Sequence, residues 1–446
     1  MPPSPPAYAR SLGLFSGTMA VVGGIVGSGI FVNPQIVAQR VGTAGLTLGA
    51  WVAGGAVALA GAFCFGELAW RRPRAGGGYV YIREAFGPLP AFLYGWALLL
   101  VIATGAIAAV AFTFASYAAS LAGLREGWIT PTAAGSIALL TLVNYAGVKP
   151  GAFIQNAFTV LKLGALATLI VAGLAATGRP EPAPPAPAGD APLAFAAALV
   201  PVLFAYGGWQ QTNFIAEEIV DPARTLPRAL VLGVLIVVAV YLLANLTYLR
   251  ALGPAGLAAS RAPAADAMRL ALGEAGAKLI AAGIAASSFG FLGLVILVSP
   301  RVYQAMAADG LFLPALARLH PRYRTPGAAL LVQGGLAIGL LLSGTYGQLL
   351  DYVVFCDWIF FGMAVLALFV LRRRDRAGGE PEPPAGIRVP GYPLTPALFV
   401  AAAGYVVAGS ISSNPGNALL GTGILAAGVP VFWYWKRRAV QGDRVK

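Results

Sequence analysis

Gly23-Gly24-Ile25-Val26-Gly27-Ser28-Gly29-Ile30-Phe31 sits inside an otherwise apolar run from Leu14 to Ala38 that is long enough to cross a bilayer. Glycines and a serine in the middle of such a run are poor helix material, because an interior glycine costs about 1 kcal/mol relative to alanine. Breaking a helix in lipid also strands backbone N–H and C=O groups, which is tolerated only where protein or a water-filled cavity surrounds them. On this stretch alone two readings stay open. One is a spanning helix interrupted so that bare backbone faces something polar. The other is close helix packing through Gly23 and Gly27, a small-xxx-small pair.

A second interruption tips the balance. The run Leu193 to Val220 is cut by Phe204-Ala205-Tyr206-Gly207-Gly208-Trp209-Gln210-Gln211, with four unbroken spans between the two breaks. Paired breaks at matching positions of two halves point to a binding site near the bilayer midplane.

The composition agrees. The chain of 446 residues is 58% hydrophobic and 11% charged, against roughly 25% charged in soluble domains. Apolar segments of spanning length follow one another to the end, so an all-α polytopic membrane protein is expected, with no soluble domain of useful size. Met1–Arg10 is proline-rich and precedes a full span without a cleavage site, so a cleavable signal is not expected. The net charge of +13 is placed by topology. With twelve spans and both ends inside, 22 Lys and Arg fall on the inner side, 7 on the outer, and Lys162 within a span. That bias follows the positive-inside rule. Anionic inner-leaflet lipid accounts for the basic loops, and no nucleic-acid partner is needed. Cys64 and Cys356 lie in apolar spans, and His320 is the single histidine. No zinc spacing, disulfide framework or nucleophile–base motif can be assembled, so no metal, cofactor or enzymatic activity is expected.

In order, spans are expected at about 13–40, 44–70, 90–122, 130–147, 152–177, 193–220, 228–252, 275–299, 326–344, 347–371, 394–412 and 417–436. A short interfacial helix at 76–87 follows the basic loop Arg71-Arg72-Pro73-Arg74. Glu67, at the inner edge of span 2, either pairs with those arginines to close that side or snorkels to water. The linker 217–228 mixes both signs, as a gate network or as a solvated helix end. Lys162 lies ten residues into span 5, so its Cα is roughly 15 Å deep in a ~30 Å core, where snorkelling cannot reach water. A charge at that depth is a functional candidate. Asp357 is similarly deep in span 10 and should be paired, protonated or facing water.

At these motifs the chain resembles the amino acid–polyamine–organocation transporters, and within them most closely the L-type amino acid transporter branch in its bacterial form. Gly27-Ser28-Gly29-Ile30-Phe31 is similar to that family's unwound span 1. Phe204 to Trp209, continuing through Asn213-Phe214 and Glu217-Glu218, is similar to its span 6. Glu67-Leu68 through Pro73 with Gly77-Gly78-Tyr79 and Tyr81 resembles the loop after span 2. Arg301 to Gly310, His320-Pro321 and Thr325-Pro326 resemble the segment between spans 8 and 9.

The resemblance implies a LeuT-like five-plus-five inverted repeat with helices 1 and 6 discontinuous. The first repeat would be 13–177 after a cytoplasmic N-terminus 1–12. After an outer loop 178–192, the second would be 193–373. A cytoplasmic loop 374–393, spans 11 and 12 over 394–436, and a cytoplasmic tail 437–446 complete the chain. It further implies a permease or antiporter in the plasma or cell inner membrane, working on an amino acid with free amino and carboxyl groups. The neutral L-amino acids are the expected substrates, by exchange or with protons. A cationic amino acid or polyamine carrier using Asp357 is the alternative; a channel or intramembrane enzyme fits less well.

Chemistry points the same way. A restarted helix N-terminus suits a carboxylate, so the backbones of Ser28 and Gly29 would bind it. Carbonyls at the C-terminal ends of the outer half-helices suit an ammonium; those of Ile25, Phe204 and Ala205 are assigned, with Gly207 nearby. Gly27 and Gln210 complete the substrate set, Gln210 standing where a smaller residue is frequent. The family makes the Phe204 ring the gate. Its span 5 lysine stands roughly where related carriers hold sodium and ties span 1 to span 8. Lys162 matches it, with Ser287 or Ser288 as the span 8 contact. Asp357 departs from the family, and a structural pairing with Lys162 is the expected role. Animal members join a glycoprotein through a cysteine between spans 3 and 4. The loop Gly123 to Pro131 has none, so a subunit working alone as a monomer, with lipids and the substrate as its partners, is expected.

Overall fold

The computed structural model describes residues 7–175, 191–344, 346–413 and 415–443. It is helical almost throughout, and its one β-bridge among the described residues joins Leu12 to Ile219. Among the described residues nine helices are long and apolar enough to span, and the bent pair Leu14–Ile25 and Gly29–Val41, angled by 43°, makes ten. The positions expected for spans 4 and 9 hold the apolar helices Ile129–Tyr145 and Gly327–Ser343, of 17 residues each. At ~1.5 Å per residue each is about 25 Å long, at the lower limit for crossing a bilayer. In the expected order of spans the short elements thus stand fourth and ninth, and the broken ones first and sixth. Most of the outer connector 178–192, the first six residues of the N-terminus and the last three of the tail lie outside the described residues.

Both breaks have the local form that their glycines demand. Span 1 stops at Ile25 and restarts at Gly29. Span 6 runs as an α-helix over Ala191–Ala205, turns through Tyr206–Gly208, and continues as a 3₁₀ helix, Trp209–Glu218. Gly208 has φ 108°, and a Cβ there would lie 2.0 Å from the Gly24 carbonyl oxygen. The two breaks therefore cross backbone to backbone, and only glycine allows it. Span 3, Pro88–Ala122, is also irregular. Its segment Leu98–Ile102 is a π-helical turn that hydropathy does not reveal.

The two described termini share one end of the bundle. The Tyr8 hydroxyl donates to Gln304, Ser11 and Leu12 N–H donate to the Glu218 carbonyl, and Trp435 packs against Phe312 at 6.4 Å. That end is tied by buried ion pairs. Glu67 is fully buried and receives Arg71, Arg372 and the Val389 N–H, so it is not a charge reaching for water. Its second arginine arrives from the end of span 10. Asp375 joins the cluster through Arg71 at 2.6 Å and Arg72 at 2.7 Å. The 217–228 linker divides between its two readings. Glu218 makes a buried pair with Arg301 at 2.7 Å, while Asp221 and Arg224 are solvent-exposed.

Candidate functional site

A cavity of about 210 Å³ opens where the two breaks meet. All the residues assigned to the substrate from sequence line it: Ile25, Gly27, Ser28, Gly29, Phe204, Ala205, Gly207 and Gln210. Asp357 lines it as well, whereas Lys162, Ser287 and Ser288 stand behind the span 1 break. Along span 3 the lining runs from the π turn at Leu98 to Thr113, about 22 Å of helix leading away from the end with the termini. Phe204, on the wall, is 42% exposed.

Each break presents groups of one kind at each side. The helix beginning at Gly29 has no side-chain cap, and among the described residues neither the Ser28 nor the Gly29 N–H has a partner. Unpaired N–H groups at a helix start carry partial positive charge and suit an anion. The carbonyls come from two different ends: Ile25 closes the half of span 1 nearer the termini, and Ala205 closes the farther half of span 6. The expectation that both belong to outer half-helices is corrected accordingly, because the two spans run in opposite directions through the bundle.

The break in span 1 is held from three sides. Lys162, fully buried, donates from Nζ to the carbonyls of Val26 at 2.7 Å and Gly23 at 3.2 Å. Ser287 of span 8 donates to the same Val26 carbonyl at 3.1 Å, whereas the Ser288 hydroxyl is buried without a partner among the described residues. Tyr241 of span 7 places its hydroxyl 3.0 Å from the Ile25 carbonyl oxygen and 3.3 Å from that of Ala205. One phenolic proton therefore lies between the two carbonyls assigned to an ammonium. The Tyr241 ring is wedged against Trp51 and Tyr206, with centroids 5.6 and 5.1 Å away. At span 6 the break closes on itself: Gly207 N–H donates to Phe204 C=O at 3.1 Å, and Gly208 N–H donates to the Gln210 side-chain oxygen at 3.0 Å.

The expected pairing of Asp357 with Lys162 is not formed. The lysine is occupied by carbonyls, and no described residue gives Asp357 a hydrogen bond or ion pair. An ammonium at this depth can be stabilised by aligned backbone dipoles as well as by a carboxylate. Sequence reasoning also missed Tyr241, the π turn of span 3, and the stripe Gln155, Thr159 and Lys162. Gln155 and Thr159 reach the Met19 carbonyl at 2.7 and 3.5 Å. Their i, i+4, i+7 spacing puts all three on one face, which was the available signal. Nothing local marks a tyrosine in an apolar span as a bridge between two distant helix ends.

Two broken helices around a shared cavity, with unpaired N–H groups from one and carbonyls from both, define a membrane carrier of the LeuT-like fold. The chain belongs to the amino acid permease family, whose model matches residues 12–433. It is 33% identical to the serine/threonine exchanger SteT of Bacillus subtilis, over 96% of this chain and 97% of that protein. It is 33% identical to the human large neutral amino acids transporter small subunit 2, over 97% and 82% respectively. With the mouse b(0,+)-type amino acid transporter 1 the identity is 34%, over 82% and 77%. The chain is thus a multi-pass amino acid transporter of the branch to which those proteins belong, and not an enzyme.

Proposed function

We propose that this protein exchanges neutral L-amino acids across the plasma or cell inner membrane without sodium, by alternating access. The carrying observation is the cavity at the two breaks: unpaired Ser28 and Gly29 N–H groups for a carboxylate, and the Ile25, Phe204 and Ala205 carbonyls for an ammonium. The substrate class is supported by the names of the serine/threonine exchanger and the large neutral amino acids transporter. Sodium independence is supported by Lys162, whose ammonium neutralises the carbonyls of Gly23 and Val26 that a cation would otherwise coordinate.

Residues 13–177 and 193–373 form the two inverted repeats, and the positive-inside bias puts both termini in the cytoplasm. The ion-paired end is then the closed cytoplasmic side, and the cavity is open outward with Phe204 at its mouth as gate. The cysteine-free loop between spans 3 and 4 supports a monomer without a disulfide-linked partner.

Counterflow in proteoliposomes tests this. Liposomes preloaded with unlabelled serine should accumulate labelled serine, threonine or leucine at the same rate in sodium and in choline buffers. Uptake that needs sodium would end the role given to Lys162, and uptake without any internal amino acid would end the exchange mechanism.

A further inference from the structure

The cavity holds two acceptors to which no described residue gives a donor. Among the described residues Asp357 is the single ionisable one on the lining, partly exposed to it, and none of them pairs with it. Lys162 is engaged with span 1 carbonyls, and Arg71 and Arg372 with Glu67 at the termini end. Gln211, also on the lining, has its side-chain oxygen buried without a partner among the described residues. The remaining polar side chains of the wall are Ser28, Thr113, Gln210 and Ser299. Gln210 is turned back onto the Gly208 N–H, and the Thr113 hydroxyl donates to its own helix at Ala109. A buried acceptor without a donor, and an unpaired carboxyl in the membrane above all, is costly until something supplies the donor.

We propose that Asp357 and Gln211 fit this cavity for amino acids whose side chain ends in a cationic donor, an ammonium or a guanidinium, alongside the neutral ones. The proposal rests on reading the cavity as the amino acid site. With the zwitterionic head held at the breaks, a long side chain brings three donors as an ammonium or five as a guanidinium, together with the missing positive charge. An aliphatic side chain brings neither. The wall between is aromatic, with Phe204, Phe291, Trp358 and Phe361. It covers the methylene stem and favours a cation over the ring faces.

The experiment is counterflow with wild-type protein in serine-loaded proteoliposomes, comparing labelled arginine and lysine with leucine. Lysine is also compared as a competitor with Nε-acetyl-lysine, which keeps the length and removes the charge. We expect arginine and lysine to exchange, and lysine to compete at least tenfold better than its acetylated form. Asp357→Asn should lower the arginine-to-leucine rate ratio about 10- to 100-fold, the range for losing one charged hydrogen-bond partner. Gln211→Leu should lower it by about threefold, as expected for a neutral partner. Because the acetyl-lysine comparison needs no substitution, poor folding of either variant does not spare the proposal. Neutral exchange that excludes arginine and lysine overturns it alone, and so does an unchanged ratio in Asp357→Asn. No counterflow with any amino acid overturns the exchanger reading and this proposal with it.

Discussion

The two breaks face one cavity, yet they are supported in opposite ways. The break in span 6 closes locally, through Gly207 N–H to Phe204 C=O and Gly208 N–H to the Gln210 side chain, and its chain goes on as a 3₁₀ helix. The break in span 1 closes one bond of its own, Gly27 N–H to Ile25 C=O at 2.9 Å, and leans on other spans for the rest. Its carbonyls also receive Lys162 from span 5, Ser287 from span 8 and Tyr241 from span 7, and of these three only Tyr241 also reaches span 6, at the Ala205 carbonyl. A self-capped break keeps its form when neighbouring helices move. One held by three other spans changes whenever they do. On the proposed function, span 6 then supplies a rigid half of the site, and span 1 is where binding is coupled to the movement of spans 5 and 8.

The largest expected effect falls where the two breaks touch. Gly208→Ala puts a Cβ 2.0 Å from the Gly24 carbonyl oxygen at φ 108°, so two backbones must separate and a strained conformation costs a further ~1–3 kcal/mol. Loss of monodisperse protein on size exclusion, or of all counterflow in what survives, is expected; near-normal exchange would show that the crossing of the breaks is dispensable.

Next comes Lys162→Ala, which removes charge-assisted bonds to two span 1 carbonyls. At about 1.5–3 kcal/mol per bond, exchange should slow by about 100-fold while the protein still purifies as a folded species. Gln210→Leu, the matching lesion in span 6, should slow it no more than about tenfold, since it removes one neutral bond. Equal losses in the two variants would erase the contrast between an externally held and a self-capped break.

The smallest effects sharpen the division within span 1. Tyr241→Phe keeps the ring against Trp51 and Tyr206 and removes only the hydroxyl between the Ile25 and Ala205 carbonyls. One neutral hydrogen bond of ~1 kcal/mol predicts a KM for serine raised about fivefold with kcat little changed. Ser287→Ala leaves Val26 C=O with Lys162 as donor, so a change of twofold or less in the exchange rate is expected. If Tyr241→Phe lowers kcat and spares KM, the hydroxyl acts on the movement and not on the site.

The pattern of what was legible follows from this contrast. The breaks, the depth of Lys162 and the broken-helix architecture were readable because hydropathy and glycine content act over a few residues. The self-capping of span 6 also lay within one stretch. The supports of span 1 did not: Tyr241 is 216 residues from Ile25, and Ser287 is 261 from Val26. Lys162 was legible as a charge needing a partner, but the partner foreseen for it, Asp357, was the wrong one. Carbonyls freed by the break serve an ammonium as well as a carboxylate does, and sequence alone does not rank them. Glu67 repeats the lesson, since Arg372, 305 residues away, fixes its burial.

By itself the sequence determined that this chain crosses a membrane many times, that two of its helices are interrupted partway, and that a lysine and an aspartate are left in apolar spans. Those are consequences of local chemistry: apolar length, glycine's poor helix propensity, and the cost of charge in lipid. Only the tertiary structure decided which stranded carbonyl meets which donor, and that Asp357 is left facing the cavity unpaired. A hydrogen bond depends on ångström-scale placement of groups hundreds of residues apart, and packing alone sets that.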